Sequence, residues 1–161
     1  MVIRDLEKRD WPAVAVIWAE GIATGSATFE TEVPSWEEFD RTRLPGQRLV
    51  AVDDGEVVGW AALSPASSRE CYAGVAENSV YVTSASRGRG IGRALLDALV
   101  AHADSAGIWT IQTSVFPENQ ASVALHERVG FRVVGRRERI AELDGVWRDT
   151  LFLERRSPSV S

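Results

Sequence analysis

Cysteine is almost absent from this sequence, since the 161 residues include a single one, Cys71. One cysteine excludes an internal disulfide framework and favours a reducing compartment, so we expect a cytoplasmic protein. We interpret Cys71 itself as an inert thiol, because neither histidine nor aspartate is its neighbour in the sequence. Two histidines and one cysteine at scattered positions predict no metal site.

Long apolar runs and an excess of positive charge are absent as well. No stretch approaches the roughly 18 apolar residues of a membrane span. The early acidic residues Asp5, Glu7 and Asp10 argue against a secretory signal. The formal net charge is −5 and the sequence pI is about 5.1. Because binding to phosphate backbones needs a concentrated basic surface, we expect neither nucleic acid nor a membrane as a partner.

The order of helix and strand signals predicts one α/β domain built on a mixed sheet. Strand signals cover residues 2–6, 48–52, 56–63, 78–84, 109–116, 131–142 and 147–154. Helical signals cover residues 13–23 and 35–45, the stretch from the glycines at 87–92 to residue 106, and residues 119–130. The predicted helix N-caps are Asp10, Ser35 and Asn119. We expect the domain to span residues 1–156 and residues 157–161 to form a disordered tail.

Residues 87–92 read Arg-Gly-Arg-Gly-Ile-Gly and connect a strand signal to a strongly amphipathic helix. The apolar face of that helix consists of Ile91, Ala94, Leu95, Ala98 and Leu99. Glycines at a helix N-terminus let a phosphate approach unpaired backbone N–H groups, and the helix dipole favours the anion. Arginines add charge there, so we expect a pyrophosphate to bind. The predicted phosphate-binding residues are Arg87, Gly88, Arg89, Gly90, Ile91, Gly92 and Arg93.

The common nucleotide-binding loops do not match this stretch. A dinucleotide-binding fingerprint that starts at Gly88 would need a third glycine where the sequence has Arg93. The Gly-Lys-Ser/Thr ending of a nucleoside triphosphate loop is also missing. The alternative is a tight strand-to-helix turn that binds no ligand and has solvated arginines. If the loop does bind a ligand, that ligand carries phosphate but is of a different kind.

The spacing Arg87-x-x-Gly90-x-Gly92 resembles the acyl-CoA signature of the GCN5-related N-acetyltransferase (GNAT) family. Further local matches narrow the resemblance to the phosphinothricin acetyltransferase-like branch. They lie at residues 28–32, at 77–82, at 125–127 followed by Gly130-Phe131, and at 147–149. The resemblance covers nearly the whole chain and implies a single-domain α/β fold. That fold is a mixed, mostly antiparallel sheet of about seven strands flanked by about four helices.

The resemblance implies acetyl-CoA as cosubstrate, with its pyrophosphate on the glycine loop. Val80, Tyr81 and Val82 would hold the pantetheine arm through backbone hydrogen bonds. The Val82 N–H would face the thioester carbonyl, where a donor stabilises a developing oxyanion. Asn119 and Ser122 would also bind pantetheine, and Asn119 can cap its helix at the same time.

Glu77 matches the position of the family's proposed general base. An amine is mostly ammonium at neutral pH, so it must lose a proton before it attacks a thioester, and a nearby carboxylate can accept that proton. Without the resemblance, Glu77 would be interpreted as a solvated carboxylate at the start of a strand. His126 occupies a position that is tyrosine in many relatives and histidine in this branch. It could be an acid for the leaving thiolate or a second base, and the sequence leaves that choice open.

The acceptor cleft is predicted from the resemblance. Phe29 and Thr31 would line its apolar end, and Arg69 would pair with the carboxylate of an amino-acid-like substrate. The alternative for Arg69 is a solvated loop arginine. Trp147 is expected to border the cleft or a dimer contact. Further substrate contacts are predicted at three successive residues, Glu77, Asn78 and Ser79.

These residues together predict an acetyl-CoA-dependent N-acetyltransferase that acts on the α-amine of a small amino acid analogue, such as phosphinothricin or methionine sulfoximine. Direct transfer is favoured because no activated nucleophile with an adjacent base is present. The alternative acceptors are a polyamine or a protein amine. A non-catalytic acyl-CoA-binding module is the alternative from another class of protein. Relatives commonly dimerise, so we expect a homodimer.

Overall fold

The computed structural model describes all 161 residues as a seven-stranded sheet with four α-helices and three short 3-10 turns. The strands are β1 (Val2–Asp5), β2 (Arg48–Asp53), β3 (Glu56–Pro65), β4 (Val75–Val82), β5 (Thr110–Val115), β6 (Arg132–Leu143) and β7 (Val146–Arg156). The helices are α1 (Trp11–Ala23), α2 (Trp36–Thr42), α3 (Ile91–Ser105) and α4 (Gln120–Arg128). The α/β fold class predicted from the sequence is confirmed.

The strand order in the sheet is β1-β2-β3-β4-β5-β7-β6. Every neighbouring pair is antiparallel except β4 and β5, which run parallel. A parallel pair needs a crossover connection, and α3 supplies it. This single parallel pair lies in the middle of the sheet, so the end of β4 and the start of α3 are brought to the same place as β5.

Helix α3 covers one face of the sheet. Leu95, Leu96 and Leu99 are fully buried there and pack with Leu63 of β3 and Ile111 of β5. The predicted apolar spacing of this helix is therefore confirmed, with Leu96 added to the buried face. None of the four helices is both long enough and apolar enough to cross a membrane.

Helices α1 and α2 cover the other face with a cluster of aromatic side chains. Trp18 of α1 and Phe39 of α2 are buried against Trp60 of β3. The ring centroids of Trp18 and Trp60 lie 4.9 Å apart, and Tyr81 of β4 stacks on Trp60 at 5.1 Å. Such aromatic pairs add about 0.5–1.5 kcal/mol beyond the area that they bury. This cluster fixes the side of β4 that carries Tyr81.

Two of the predicted local features differ in the structure. The side chain of Asp10 does not cap α1. Arg4 donates two hydrogen bonds of 2.8 Å to its carboxylate, and the Glu7 N–H donates a third. An ion pair with two parallel bonds outcompetes a cap for the same oxygens.

Strand β4 begins at Val75 instead of 78, so Glu77 lies within the strand. Ser35 does cap α2, since its hydroxyl accepts the Glu38 N–H at 3.2 Å.

The end of the chain is held against the domain at Ser157. This residue is buried, and its N–H donates to the Trp109 carbonyl oxygen at 2.8 Å. Arg156 also donates to the carbonyl oxygen of Val160 at 2.7 Å. Ser157 is therefore an exception to the disorder expected of the tail, because the pairing of β7 with β5 extends the fixed backbone past residue 156.

Candidate active site

A cleft opens in the sheet where β4 and β5 diverge. The two strands pair only from Val75 to Glu77, with Glu77 opposite Gln112 as the last pair. From Asn78 to Val82, β4 pairs with β3 alone. The edge of β4 that faces β5 is consequently unpaired over its second half, and backbone donors and acceptors on that edge are available to a ligand.

The register of β3 and β4 shows which backbone groups face this cleft. The Thr83 N–H donates to Val58 of β3 at 2.8 Å. Backbone groups of successive residues in a strand point to opposite sides, so the odd-numbered residues of β4 bond β3. The N–H and C=O groups of Asn78, Val80 and Val82 therefore point toward β5 and into the cleft. This is the orientation that backbone binding by Val80 and Val82 requires, whereas the backbone groups of Tyr81, for which the same role was predicted, face β3.

Two cavities meet along this edge. The inner cavity has a volume of about 310 Å³ and includes Glu77, Asn78, Ser79 and His126 in its lining. The loop cavity has a volume of about 400 Å³, and residues 86–88 and 90–93 are part of its lining. The residues common to both linings are Ala27, Val80, Tyr81, Asn119 and Ser122. The two cavities therefore form one continuous trough along β4.

The glycine loop has the geometry of an anion-binding turn. Gly88 and Gly90 both adopt φ = +78°, which glycine enters without steric cost, and a Cβ at either residue would meet nothing within 4 Å. Gly90 is the N-cap of α3 and offers no side chain to the first N–H groups of the helix. These N–H groups are left without a partner in the protein, and the helix dipole favours an anion there.

Arginines reach the loop cavity from the glycine loop and from two helices. Arg87 and Arg93 line it as predicted, and Arg128 of α4 lines it as well, which sequence reasoning missed. Arg89 does not line it, because its guanidinium pairs with Asp53 at 2.8 Å on the opposite side of the loop. Three cations and a helix N-terminus thus face the same volume, which suits a ligand with several phosphate charges.

Helix α1 anchors the turn that precedes the glycine loop. The Glu20 carboxylate accepts the Ser84 N–H at 2.7 Å and the Thr83 hydroxyl at 3.1 Å. The bond from the Ser84 N–H lowers the pKa of the Glu20 carboxyl, and Arg87 lowers it further. The loop is thereby fixed to α1 as well as to α3, so its glycines are held in position before any ligand binds.

Glu77 opens onto the inner cavity. Partial burial raises the pKa of its carboxyl, while the positive charges of Arg43 and Arg137 oppose that shift. Glu30 and Tyr81 are the other acidic groups of the lining, and no arginine or lysine is part of it. A carboxylate with a raised pKa in such a cavity is a better proton acceptor than an ordinary surface carboxylate.

His126 and Asn78 form a buried pair across the cleft. His126 Nε2 lies 3.0 Å from Asn78 Nδ2, and His126 Nδ1 lies 2.7 Å from the Ser122 carbonyl oxygen. A carbonyl oxygen only accepts, so Nδ1 carries the hydrogen and Nε2 accepts from the Asn78 amide. Burial lowers the pKa of His126, which favours the neutral ring, although the bond to the Ser122 carbonyl oxygen opposes part of this shift. His126 therefore has no free donor that faces the cleft.

The remaining predicted site residues separate into two groups. Phe29, Ser79 and Ser122 line the inner cavity, and Asn119 caps α4 by accepting the Ser122 N–H at 3.2 Å. Thr31 and Arg69 do not belong to the lining of either cavity. The Arg69 guanidinium instead lies 5.6 Å from the centroid of the Tyr72 ring, and its residue is exposed in the loop between β3 and β4. The lining residues that sequence reasoning missed lie on β5, on β7, in the segment after β5 and in the segment between α1 and α2. They include Thr113, Ser114, Phe116, Thr150, Ala27, Thr28 and Glu30.

Comparison with known proteins agrees with this geometry. The sequence model described as the acetyltransferase (GNAT) family matches residues 3–131. An L-methionine sulfoximine/L-methionine sulfone acetyltransferase from Pseudomonas aeruginosa is 31% identical over 160 residues, which cover 94% of this chain and 92% of that protein. A phosphinothricin N-acetyltransferase from Alcaligenes faecalis is 34% identical over 163 residues, which cover 95% of this chain and 81% of that protein.

A solved structure is similar over almost the full length. It is a phosphinothricin acetyltransferase from Sinorhizobium meliloti in complex with acetyl-CoA, with a TM-score of 0.89, 30% identity, and coverage of 99% of this chain and 90% of that one. The fold and these matches define the class of protein as an N-acetyltransferase that uses acetyl-CoA. The chain belongs to the acetyltransferase (GNAT) family. The family and cosubstrate predicted from the sequence are confirmed.

Proposed function

We propose that this N-acetyltransferase transfers the acetyl group of acetyl-CoA to the α-amine of a small amino acid analogue of the phosphinothricin or methionine sulfoximine type. The observation that carries the proposal is the continuous trough, in which a phosphate-binding loop and a carboxylate meet at the unpaired edge of β4. The relatives support the choice of acceptor, since their names give methionine sulfoximine and phosphinothricin as the compounds that they acetylate.

The residues of the loop cavity fit acetyl-CoA. Arg87, Arg93 and Arg128 would bind its phosphates together with the N–H groups at the start of α3. The edge of β4 would hold the pantetheine arm, because Val80 and Val82 present free backbone groups there. Asn119 and Ser122 line both cavities and would contact the same arm. This arrangement leads the thioester to the junction with the inner cavity.

Glu77 is the proposed general base. The acceptor enters the inner cavity as an ammonium ion, which the negative charges of Glu77 and Glu30 attract. Glu77 takes a proton from it, directly or through water, and the free amine then attacks the thioester carbon. General base catalysis of this kind contributes about 10²–10⁴-fold to the rate. The raised pKa of Glu77 brings the carboxylate closer to the pKa that suits this transfer.

The Val82 N–H is the proposed oxyanion donor. It points into the cleft, and the pairing of β4 with β3 leaves it without a hydrogen-bond acceptor. Negative charge develops on the thioester oxygen during attack, and one preorganised donor at that position contributes about 2.7–4 kcal/mol. As the adduct collapses, the C–S bond breaks and CoA leaves as the thiolate, while the extra proton on the new amide nitrogen passes to the thiolate or to water. No covalent intermediate with the protein is required.

We further propose that His126 acts through Asn78. Its neutral ring holds the Asn78 amide at the floor of the inner cavity and has no donor left for the thiolate. The acid and second-base roles considered from the sequence therefore receive no support from the hydrogen bonds. His126 is a positioning residue in this mechanism.

Arg69 remains the proposed partner of an acceptor carboxylate, and one observation favours a second candidate function. The inner cavity is lined by the carboxylates of Glu30 and Glu77 and by no cation, and Arg69 lies outside it. Such a lining also suits an amine that carries no carboxylate, for example a polyamine. In the first case Arg69→Ala raises the KM for methionine sulfoximine about tenfold, since an Arg–carboxylate pair is lost. An unchanged KM favours the second case.

We also propose a homodimer in a reducing compartment. The β6–β7 hairpin lies at the sheet edge and exposes large apolar side chains that a partner would cover, namely Val133, Val134, Ile140, Val146 and Trp147. The single, exposed thiol of Cys71 is compatible with reducing conditions. Light scattering after size-exclusion chromatography tests the dimer, and a mass of one chain at micromolar concentration would contradict it.

The acceptor is tested by measuring CoA thiol release from acetyl-CoA with a panel of amines. The panel contains phosphinothricin, methionine sulfoximine, free amino acids, spermidine and a lysine peptide. Turnover confined to the amino acid analogues supports the proposal, whereas turnover confined to spermidine or the peptide contradicts it. If calorimetry detects acetyl-CoA binding but no amine is acetylated, the chain is a binding module.

A further inference from the structure

The segment between α1 and α2, residues 24–35, crosses the trough and forms part of both cavities. Ala27 lines both of them, and Thr28, Phe29 and Glu30 line the inner cavity. We call this segment the crossing loop. It contains no helix or strand, and its own hydrogen bonds join near neighbours only, such as the Glu30 N–H to the Thr28 hydroxyl at 3.0 Å. Its place over the trough therefore depends on contacts with other elements.

Arg148 of β7 makes the main contacts that fix the start of the crossing loop. Its guanidinium donates to the Gly25 carbonyl oxygen at 3.0 Å and lies 4.0 Å from the centroid of the Phe116 ring. Its other terminal nitrogen is 3.5 Å from the Glu118 carboxylate, and only 19% of the side chain is exposed. One planar group thus joins the crossing loop to the segment that follows β5.

The stack of Arg148 on Phe116 also determines the position of Phe29. The Phe116 ring that Arg148 covers meets the Phe29 ring edge-on, with centroids 4.8 Å apart and an interplanar angle of 74°. The second contact from outside to the backbone of the loop is weaker, since Asn119 donates to the Ser26 carbonyl oxygen at 3.4 Å. Arg148 therefore holds the loop at both points, directly at Gly25 and through Phe116 at Phe29.

We propose that Arg148 is a positioning residue for the acceptor: it holds the crossing loop so that Phe29 forms a wall of the inner cavity. This inference rests on the proposed function only in that the acceptor binds in the inner cavity. Arginine suits the role because its guanidinium can stack on a ring and donate in its own plane at the same time. Lysine can donate to Gly25 but cannot reproduce the stack.

The expected kinetic effect falls on the acceptor. In Arg148→Ala the loop loses its contact at Gly25, and the wall at Phe29 loosens. We expect the KM for the acceptor to rise about tenfold, since small misplacements of substrate cost one to two orders of magnitude. The KM for acetyl-CoA should rise less than about threefold, because the glycine loop and β4 bind it elsewhere. Arg148→Lys should fall between Ala and wild type.

The decisive experiment combines these constants with amide hydrogen exchange of residues 24–30, measured without any substrate. The control is Arg136→Ala, which removes an exposed pair with Asp149 on the same hairpin but no contact with the loop. We expect exchange to accelerate about tenfold or more in Arg148→Ala, to a smaller extent in Arg148→Lys, and not in the control. Circular dichroism and Tm establish that each variant is folded, and Arg148→Lys carries the test if Arg148→Ala is not.

Unchanged exchange in the folded Arg148 variants would overturn the proposal, as would equal rises in the two KM values. Faster exchange without acetylation of any amine would leave Arg148 as the residue that fixes the loop and would contradict the proposed function instead. The two failures are therefore distinguished.

Discussion

The Asn78 amide nitrogen lies 3.0 Å from Nε2 of His126, and this buried contact defines the protonation state of the histidine. Nδ1 donates to the Ser122 carbonyl oxygen, so Nε2 carries the lone pair that accepts from Asn78. If the Asn78 amide were turned around, its oxygen would face Nε2, and the ring would need a second proton. Burial opposes that charge, since it lowers the pKa of His126.

The first prediction is that His126 does not titrate in the reaction. We expect His126→Leu to lower kcat about tenfold because Asn78 loses its partner, while the shape of the pH profile of kcat/KM stays the same. His126→Gln retains an acceptor and should retain more activity. Asn78→Ala is the matched control, and the double variant should lose no more than either single one. Disappearance of a limb between pH 6 and 8 in both His126 variants would show that the histidine transfers protons.

The second prediction concerns Glu77. Glu77→Gln should lower kcat about 10²–10³-fold, since the proton acceptor is removed. The limb of the pH–rate profile that reports ionisation of this carboxyl should disappear as well. The Tm of the variant should stay within about 2 °C of wild type, because the side chain opens onto a cavity and has no ion pair to lose. Glu30→Gln lines the same cavity and should lower kcat by less than about fivefold. Equal losses in the two variants would assign the effect to the charge of the cavity and not to a base.

The third prediction uses the backbone of β4. Val82→Pro removes the N–H that faces the cleft without removing a hydrogen bond to β3. We expect kcat to fall about 10²–10³-fold, as for the loss of one oxyanion donor. Val80→Pro changes a cleft-facing group that is farther from the glycine loop and should raise the KM for acetyl-CoA more than it lowers kcat. If Val82→Pro retains wild-type kcat while its circular dichroism is native, the proposed oxyanion donor is wrong.

The fourth prediction concerns stability and its pH dependence. The bonds from Arg4 hold the pKa of the buried Asp10 carboxyl below its usual value. A lowered pKa in the folded state means that the pair stabilises fully above the unfolded pKa of about 3.9, and that this stabilisation is lost as the pH falls further. Asp10→Asn should therefore reduce the free energy of unfolding by about 2 kcal/mol at pH 7 and by less at pH 3. Urea unfolding at both pH values measures this.

An exposed ion pair supplies the control for that measurement. Glu38→Gln breaks the pair with Arg41 on the surface of α2 and should leave the free energy of unfolding nearly unchanged, because water screens this exposed pair. A loss in Asp10→Asn that is the same at pH 3 and pH 7 would contradict the electrostatic origin of the effect.

Local sequence signals predicted much of the fold. The apolar spacing after Gly90, the cap at Ser35 and the hairpin residues at Asp54-Gly55 and Asp144-Gly145 each act over a few residues, and each is present in the structure. Asp10 is the exception. Its role as a cap was predicted from its position before a helix, but a partner on β1, Arg4, takes its oxygens. No local pattern shows such a partner.

The candidate site was predictable from local spacing only at the glycine loop, and its other predicted residues, such as Asn119 and His126, came from the family resemblance. Residues 87–93 were found from their own spacing, since one loop carries them, whereas the roles of residues 77–82 were implied by the resemblance. Thr113 and Thr150 were missed because they reach the cavity only through the divergence of β4 from β5, which is a property of the whole sheet. The same holds for Arg128, whose charge faces the loop cavity through the packing of α4 on α3.

The proposed function depends above all on the trough along β4, which would bring acetyl-CoA and a small α-amine together for direct transfer. Its most direct test is the initial rate of CoA thiol release with saturating acetyl-CoA and L-methionine sulfoximine, with the acetylated product identified by mass spectrometry. Direct transfer predicts steady release of one CoA for each N-acetyl product formed. Release without an N-acetyl product, or no release above the rate of acetyl-CoA hydrolysis, would contradict it.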